Sequence, residues 1–144
     1  TLMTSTQAPP AKTLIQGQPF SLVRLALVAA AAAAANALVF AIGAAAGASM
    51  GIDSPGYSQI TLVMAIFATL MPLLLAGGVT WLIARSRPAF RRIAQWLGLA
   101  VALLSIASPF LVAQDIATGV SLAAMHLVAG LGWFFAVDAR ASHK

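Results

Sequence analysis

The sequence contains no cysteine and very few charged residues, and each absence excludes whole classes of protein. Without cysteine there is no disulfide framework, no thiolate metal site and no cysteine nucleophile. Only 8% of the 144 residues are charged and 61% are hydrophobic, so the chain has too little polar surface to cover a water-soluble core. The composition therefore predicts an integral membrane protein.

Charge is absent from four long intervals, residues 25–52, 54–84, 93–114 and 116–137. Each exceeds the roughly 20 residues that a helix needs to cross about 30 Å of hydrocarbon. Transmembrane strands would alternate polar and apolar residues, and stretches such as LVAAAAAAANALVFAIGAAAG do not alternate. We therefore predict an all-α integral membrane fold, an up-down bundle of four transmembrane helices. The predicted spans cover about residues 24–49, 57–84, 90–113 and 117–137.

The predicted transmembrane domain covers residues 20–138. Residues 1–19 are polar, contain proline and lack a helical period, so they are predicted to be a mobile cytoplasmic tail, and 139–144 a second short tail. Serine caps helices and proline fits a first helical turn. The pairs predicted to start the second and third spans are Ser54 with Pro55 and Ser86 with Pro88.

All eight basic residues fall on one side of the predicted bundle. The only charged residues in the opposite loops, GIDSPGYS and AQDIA, are Asp53 and Asp115. The positive-inside rule then places both termini in the cytoplasm. Trp81, Trp96 and Trp133 lie near the same boundary, as an interfacial belt requires. The net charge of +5 is thus explained by topology, with membrane lipids rather than nucleic acid as the expected contacts.

Two helix faces carry small residues at regular spacing, which lets helix backbones approach closely in a membrane. The first stripe consists of Gly43, Gly47 and Gly51. The second consists of Gly119, Ala123 and Gly130, on the same predicted face as His126. Both stripes predict helix packing within the bundle. A homodimer formed through the first span, or a partner membrane protein, is the alternative.

Each predicted span also brings one polar side chain towards the middle of the membrane. At about 1.5 Å per residue, Asn36, Ser105 and His126 lie roughly 18 to 20 Å from the cytoplasmic ends, and Thr69 some 5 Å further. Unpaired, such groups cost several kcal/mol each in lipid, so we predict that they face one another in a polar layer. Within it, His126 either fixes helix register, responds to protons or holds a polar headgroup.

Proline interrupts two of the predicted spans. Pro72 and Pro109 deprive the carbonyls of Ala68 and Ser105 of their helical hydrogen bonds, and those carbonyls then need another donor. These kinks indicate where a cavity could open.

Catalytic residues are not predicted. No span contains a carboxylate, and the sequence has no Ser/His/Asp set, no metal-ligand spacing and no phosphate loop. Haem would normally need two axial ligands, but the only other histidine, His143, lies in the predicted tail. We therefore expect no enzyme activity, no metal site and no cofactor.

The turn ARSRPAFRR, the third-span segment LLSIASPFL and the fourth-span segment AAMHLVAGL together resemble a family of small four-span actinobacterial membrane proteins of unknown function. The resemblance covers about residues 20–138. It implies a multi-pass protein of the bacterial cytoplasmic (inner) membrane and supplies no activity, cofactor or catalytic residue.

Two functions remain open at this point. The first is a non-enzymatic protein that binds a partner protein or an apolar ligand, such as a lipid or a quinone, at the polar layer. The second is a small oligomeric transporter or proton-coupled channel in which His126 titrates. The absence of other intramembrane charge and of internal repeats weighs against transport.

Overall fold

The computed structural model describes residues 20–139, and both predicted tails apart from Ala139 lie outside this range. Four of its helices are long and apolar enough to cross a membrane, which confirms the prediction of a helical chain with four membrane-length spans. The helices are α1 (Leu22–Ala45), α2 (Leu62–Ser86), α3 (Ala89–Leu104), α4 (Pro109–Val112) and α5 (Ile116–Ala136). A 3-10 turn at Ser105–Ala107 joins α3 to α4, and together they form the third span.

The ends of the helices meet in two groups. Arg24 at the start of α1 lies 3.7 Å from the Asp138 carboxylate, and Arg91 at the start of α3 donates to the Asp138 backbone carbonyl. Since Asp138 follows α5, that helix runs antiparallel to α1 and α3. We call this end, formed by residues 20–24, 85–92 and 137–139, the basic end, and the opposite one the hairpin end. Helix α1 packs on α2 and α5, and α3 packs mainly on α5.

A compact apolar core fills the half of the bundle nearest the basic end. Trp133 lies in it, only 8% exposed, and its indole N–H donates to the carbonyl of Ala94 at 2.8 Å. The prediction of Trp133 as part of an interfacial belt is therefore wrong. Gly98, which has no side chain, leaves the space that the indole ring occupies. Trp96, by contrast, is 55% exposed.

Large apolar side chains cover the outside of the helices. Leu104, Leu111 and Ile116 are each about four-fifths exposed, and they belong to a larger set distributed over all four spans. Soluble monomers rarely expose apolar surface on this scale. The outside of the bundle therefore has the character of a lipid-facing surface.

The predicted glycine stripe of the first span does not exist as a helix face. Gly47 has φ +95°, and the bonds Gly47 N–H to Ala44 C=O and Ala48 N–H to Gly43 C=O close a Schellman motif that ends α1. Gly51 lies beyond the helix, in a β-strand. Only Gly43 has the predicted packing role on α1, because a Cβ there would collide with the Ser121 side chain of α5.

A β-hairpin replaces the predicted start of the second span. Strands β1 (Gly51–Ser54) and β2 (Tyr57–Gln59) pair antiparallel around Pro55 and Gly56, and Gly56 has φ +97°. Proline followed by a left-handed glycine is typical of a tight type II turn. Ser54 and Pro55 therefore cap no helix, and α2 begins later, with the Thr61 hydroxyl accepting from the N–H of Met64 at 3.2 Å.

Two further sequence expectations need adjustment. Ser86 is the last residue of α2 rather than the cap of α3, and its hydroxyl donates back to the Ile83 carbonyl. Helix α2 continues through Pro72 over its whole length. The third span does break, with the 3-10 turn before Pro109, which then occupies the first turn of α4. Proline at that position lacks only an N–H that needs no helical partner.

Asp115 holds the hairpin end together. It caps α5 by accepting from the Thr118 N–H at 2.7 Å, and its other oxygen accepts from the Ser49 and Thr118 hydroxyls at 2.5 and 2.7 Å. The Thr118 hydroxyl oxygen in turn accepts from the Met50 N–H at 2.9 Å. One carboxylate thus connects the start of α5 to the segment that follows α1.

These hydrogen bonds predict how stability depends on pH. The Ser49 hydroxyl, followed by the Thr118 hydroxyl and N–H, holds the pKa of Asp115 well below its ordinary value. A carboxyl with a depressed folded-state pKa stabilises the fold above its unfolded pKa, and the contribution disappears as the pH falls. We expect the thermal midpoint in detergent to fall below about pH 4, where an unfolded aspartate protonates. Asp115→Asn should flatten this fall, whereas an equally steep curve would contradict the assignment.

Candidate functional site

A cavity of about 390 Å³ lies between α2, α4 and α5, in the half of the bundle nearest the hairpin. Its rim includes the exposed residues Tyr57, Ala68 and Ser108, so it opens at the surface between α2 and α4. Ala68 and Pro109 both line it. Pro109 is one of the two predicted kink positions, and Ala68 carries the carbonyl that lacks a helical partner because of the other, Pro72. The full lining consists of Asn36, Ile52, Tyr57, Ile60, Met64, Ala65, Ala68, Thr69, Ser108, Pro109, Val112, Leu122, Met125, His126 and Ala129.

Three of the four residues of the predicted polar layer line this cavity. Asn36 is 1% exposed, and its Nδ2 donates to the Thr69 hydroxyl oxygen at 2.7 Å and to the Met125 carbonyl at 3.2 Å. Thr69 is 4% exposed and donates its own hydroxyl proton to the Ala65 carbonyl at 2.8 Å. This amide therefore connects α1, α2 and α5 at one depth.

The orientation of the Asn36 amide follows from its neighbours. The Thr69 hydroxyl gives its proton to Ala65 and so presents only its oxygen, and the Met125 carbonyl is also an acceptor. Reversing the amide would place its oxygen against two oxygens. The Asn36 Oδ1 atom is consequently fixed on the other side, where it is buried and has no hydrogen-bond partner within residues 20–139.

His126 is half-buried on the cavity wall. Its Nδ1 lies 2.8 Å from the Leu122 carbonyl of its own helix. Because a carbonyl only accepts, Nδ1 carries the proton in the neutral imidazole, and Nε2 is left as an acceptor. The histidine shares the cavity with Asn36 and Thr69, but only Asn36 and Thr69 are hydrogen-bonded to each other.

Ser105 does not belong to this group. Its hydroxyl donates to the Ala102 carbonyl at 2.7 Å, within its own span, and it does not line the cavity. Ser105 lies where α3 passes into the 3-10 turn, and its hydroxyl is satisfied by the backbone of its own span. Ser108, one turn later, lines the cavity instead, although its hydroxyl is engaged by the Ser105 carbonyl at 2.8 Å.

The small residues of α5 pack against neighbouring elements rather than against the cavity. A Cβ added at Gly119 would meet the Phe110 ring, and one at Gly130 would meet the Ala102 side chain. Ala123 is also buried. At Gly119 and Gly130, α5 therefore lies close against the third span.

The sequence gives little indication of several cavity residues. Met64 and Met125 contribute flexible apolar side chains, and Tyr57 reaches the rim from β2. In an apolar span these residues look like ordinary lipid-facing or core positions. Only their spacing from Thr69 and His126, five residues on α2 and one residue on α5, could have suggested that they lie nearby.

Within the described part of the chain, no group of three His, Cys, Asp or Glu side chains could hold a metal ion. The residues that line the cavity include no Asp, Glu, Lys or Arg. Such a site can pack against apolar groups and accept hydrogen bonds. The Thr69 and Ser108 hydroxyls of the lining both donate to backbone carbonyls, and neither is hydrogen-bonded to His126.

Four apolar helices of membrane-crossing length, with an apolar exterior, indicate the class of small multi-pass membrane proteins. Within that class, the chain belongs to the DUF6069 family, a family of unknown function, which matches residues 17–143. No curated protein and no solved structure matches the chain. The family match agrees with the resemblance found from the sequence in being of unknown function. It does not bear on the predicted actinobacterial origin.

Proposed function

We propose that this protein is a non-enzymatic membrane protein that binds an apolar ligand, such as a lipid or a quinone-type molecule, in the cavity between α2, α4 and α5. The observation that carries the proposal is the buried Asn36 amide in the cavity wall, whose oxygen has no partner within the described residues. A buried polar atom without a hydrogen bond costs roughly 1 to 3 kcal/mol, which a bound ligand would recover.

The shape and lining of the cavity support the same function. Its volume of about 390 Å³ lies within the range of ordinary ligand sites, and a mostly apolar wall with a few polar groups is typical of them. The opening between α2 and α4 lies on the side of the bundle, where a lipid-soluble molecule would approach. Binding of a partner protein and formation of a homodimer remain predictions, and the cavity supports neither.

The placement of the protein in a membrane is part of this proposal. Arg85, Arg87 and Arg92 are exposed at the basic end, together with Arg24, and the hairpin end carries Asp53 and Asp115. This separation of charge favours an orientation with the basic end and both termini in the cytoplasm of a bacterial inner membrane. The exposed arginines would then contact anionic lipid headgroups.

A small oligomeric transporter or proton-coupled channel is the second candidate function. It is favoured by the Nε2 atom of His126, which no residue of the described chain engages and which lies on a cavity wall. Against it stands the packed core of the basic half, which includes Leu25, Trp133 and Val137 and closes the bundle below the cavity. Transport predicts a pH-dependent flux in liposomes that His126→Leu abolishes, whereas ligand binding predicts no flux in either protein.

Filling the cavity tests the binding function directly. Ala129 lines the cavity on α5, and Leu127, two residues earlier, is 42% exposed and does not line it. We expect Ala129→Trp to reduce occupancy by a co-purified amphiphile at least about tenfold, because the indole takes up the space of the ligand. Native mass spectrometry of gently extracted protein measures this occupancy.

Leu127→Trp is the matched control, with the same new side chain on the lipid side of the same helix. It should carry the ligand as the unsubstituted protein does. Equal occupancy in all three proteins, or an unsubstituted protein that is always bare, would contradict the proposal.

A further inference from the structure

Among the deep polar groups of the cavity, the hydrogen-bond donors have partners but some acceptors do not. The ligand must therefore offer a hydrogen-bond donor. The donors of the deep polar side chains are all engaged. Both protons of the Asn36 amide are donated, to Thr69 and Met125, and the Thr69 hydroxyl proton goes to Ala65. The His126 Nδ1 proton of the neutral ring goes to Leu122, and the Ser108 hydroxyl donates to Ser105.

Away from the exposed rim, where the Tyr57 hydroxyl lies, the acceptors are the groups that remain. Asn36 Oδ1 is buried without a partner, and in the neutral imidazole Nε2 of His126, another lining residue, is a second acceptor. A ligand that offers only carbonyl oxygens, such as an oxidised quinone, would meet these oxygen and nitrogen acceptors without forming a hydrogen bond. A hydroxyl group on the ligand has one proton to donate, and it would satisfy the buried Asn36 Oδ1.

Charge on the ligand is disfavoured by the same lining. The cavity wall contains no Asp, Glu, Lys or Arg, so a phosphate or an ammonium group would lose its hydration without gaining an opposite charge. The apolar residues Ile60, Met64 and Val112 suit an alkyl chain or a ring instead. Asn36 Oδ1 is itself buried, and Met125, whose backbone carbonyl accepts from the same amide, also lines the cavity.

We propose that the cavity selects an uncharged amphiphile whose polar end is a hydroxyl group, which donates its proton to Asn36 Oδ1, and whose apolar part enters between α2 and α4. This inference rests on the proposed ligand-binding function and specifies its ligand class. Two sources share the chemistry, a lipid with a free hydroxyl and the reduced, hydroquinone form of a quinone.

Matched pairs of ligands test the inference. The probes are 1,2-dioctanoylglycerol with its methyl ether, and decylhydroquinone with its dimethyl ether, the second pair under anaerobic conditions. Each is titrated into delipidated, full-length protein in detergent and followed by native mass spectrometry. We expect at least one hydroxyl compound to bind about tenfold more tightly than its ether, because the ether keeps the shape and loses the donor. The pair that discriminates identifies the source.

Asn36→Leu, which keeps the branched arrangement of side-chain heavy atoms and removes the acceptor, should reduce this preference towards equality while the ether still binds. Since the comparison of alcohol and ether is made first in the unsubstituted protein, the test does not depend on the folding of the variant. Equal binding of alcohol and ether in the unsubstituted protein would overturn the inference and leave the binding function intact. Failure of all four compounds to bind would overturn the proposed function, and the inference with it.

Discussion

Gly98→Ala is expected to destabilise the protein by about 2 to 4 kcal/mol, although alanine is the better helix former. The added Cβ would collide with the indole ring of Trp133, which is rigid and held by its hydrogen bond to Ala94. Displacing the ring both overpacks the core and breaks that bond, at about 1 to 3 and about 1 kcal/mol. Reversible unfolding in mixed detergent measures the difference.

Gly78→Ala is the control for this substitution. Gly78 also lies inside a membrane-length helix, but a Cβ there meets nothing within 4 Å. Replacement by alanine should therefore leave stability unchanged or raise it by up to about 1 kcal/mol, the difference in helix propensity. Opposite signs at the two glycines would confirm the close approach of α3 and α5, and equal effects would refute it.

Gln95→Glu is expected to have the second large effect, lowering the free energy of unfolding by about 3 to 5 kcal/mol. Gln95 is 3% exposed, and its Nε2 donates to the Phe134 carbonyl at 3.0 Å and to the Asp138 carboxylate at 3.4 Å. Its Oε1 accepts from the Ala139 N–H at 3.3 Å. The oxygen that replaces Nε2 would face a carbonyl and a second carboxylate without a donor, in a buried setting where such repulsion is poorly screened.

Gln114→Glu makes the same chemical change where water is present. Gln114 is exposed and donates to the Asp53 carboxylate at 3.1 Å, at the hairpin end. Solvent screens the new pair of carboxylates, so we expect a change within about 0.5 kcal/mol in the same unfolding experiment. A comparable loss of stability at both positions would contradict the explanation by burial of Gln95.

The sequence predicts the spans well because long apolar, charge-free segments have few alternatives in a membrane. It predicts their ends less well. Gly47 ends α1 because its backbone takes a left-handed conformation, and the same residue also fits a glycine packing stripe. Likewise Pro55 is suited to a helical first turn and to a hairpin turn, and only the pairing of β1 with β2 selects the second.

The sequence predicts the level at which the site residues lie in the bundle but not the contacts that they make. Residue counts place Asn36, Thr69 and His126 near one level, and the structure brings all three to one cavity. The same counts also include Ser105, which bonds to the backbone of its own span at the 3-10 turn and does not line the cavity. Helix rotation and local unwinding decide such contacts. Neither follows from hydropathy, because the apolar residues of a buried face and of a lipid-facing one are alike.

The most direct test of ligand binding is photoaffinity labelling in intact membranes, followed by peptide mapping. A suitable probe is a dialkylglycerol with a free hydroxyl and a diazirine in one chain. We expect labelled peptides to come from the cavity-lining parts of α2 and α5, around Met64 and Met125, and Ala129→Trp to remove this labelling. Labelling confined to lipid-facing residues such as Leu104 and Leu111, unchanged by Ala129→Trp, would mean that the cavity holds no ligand of this kind.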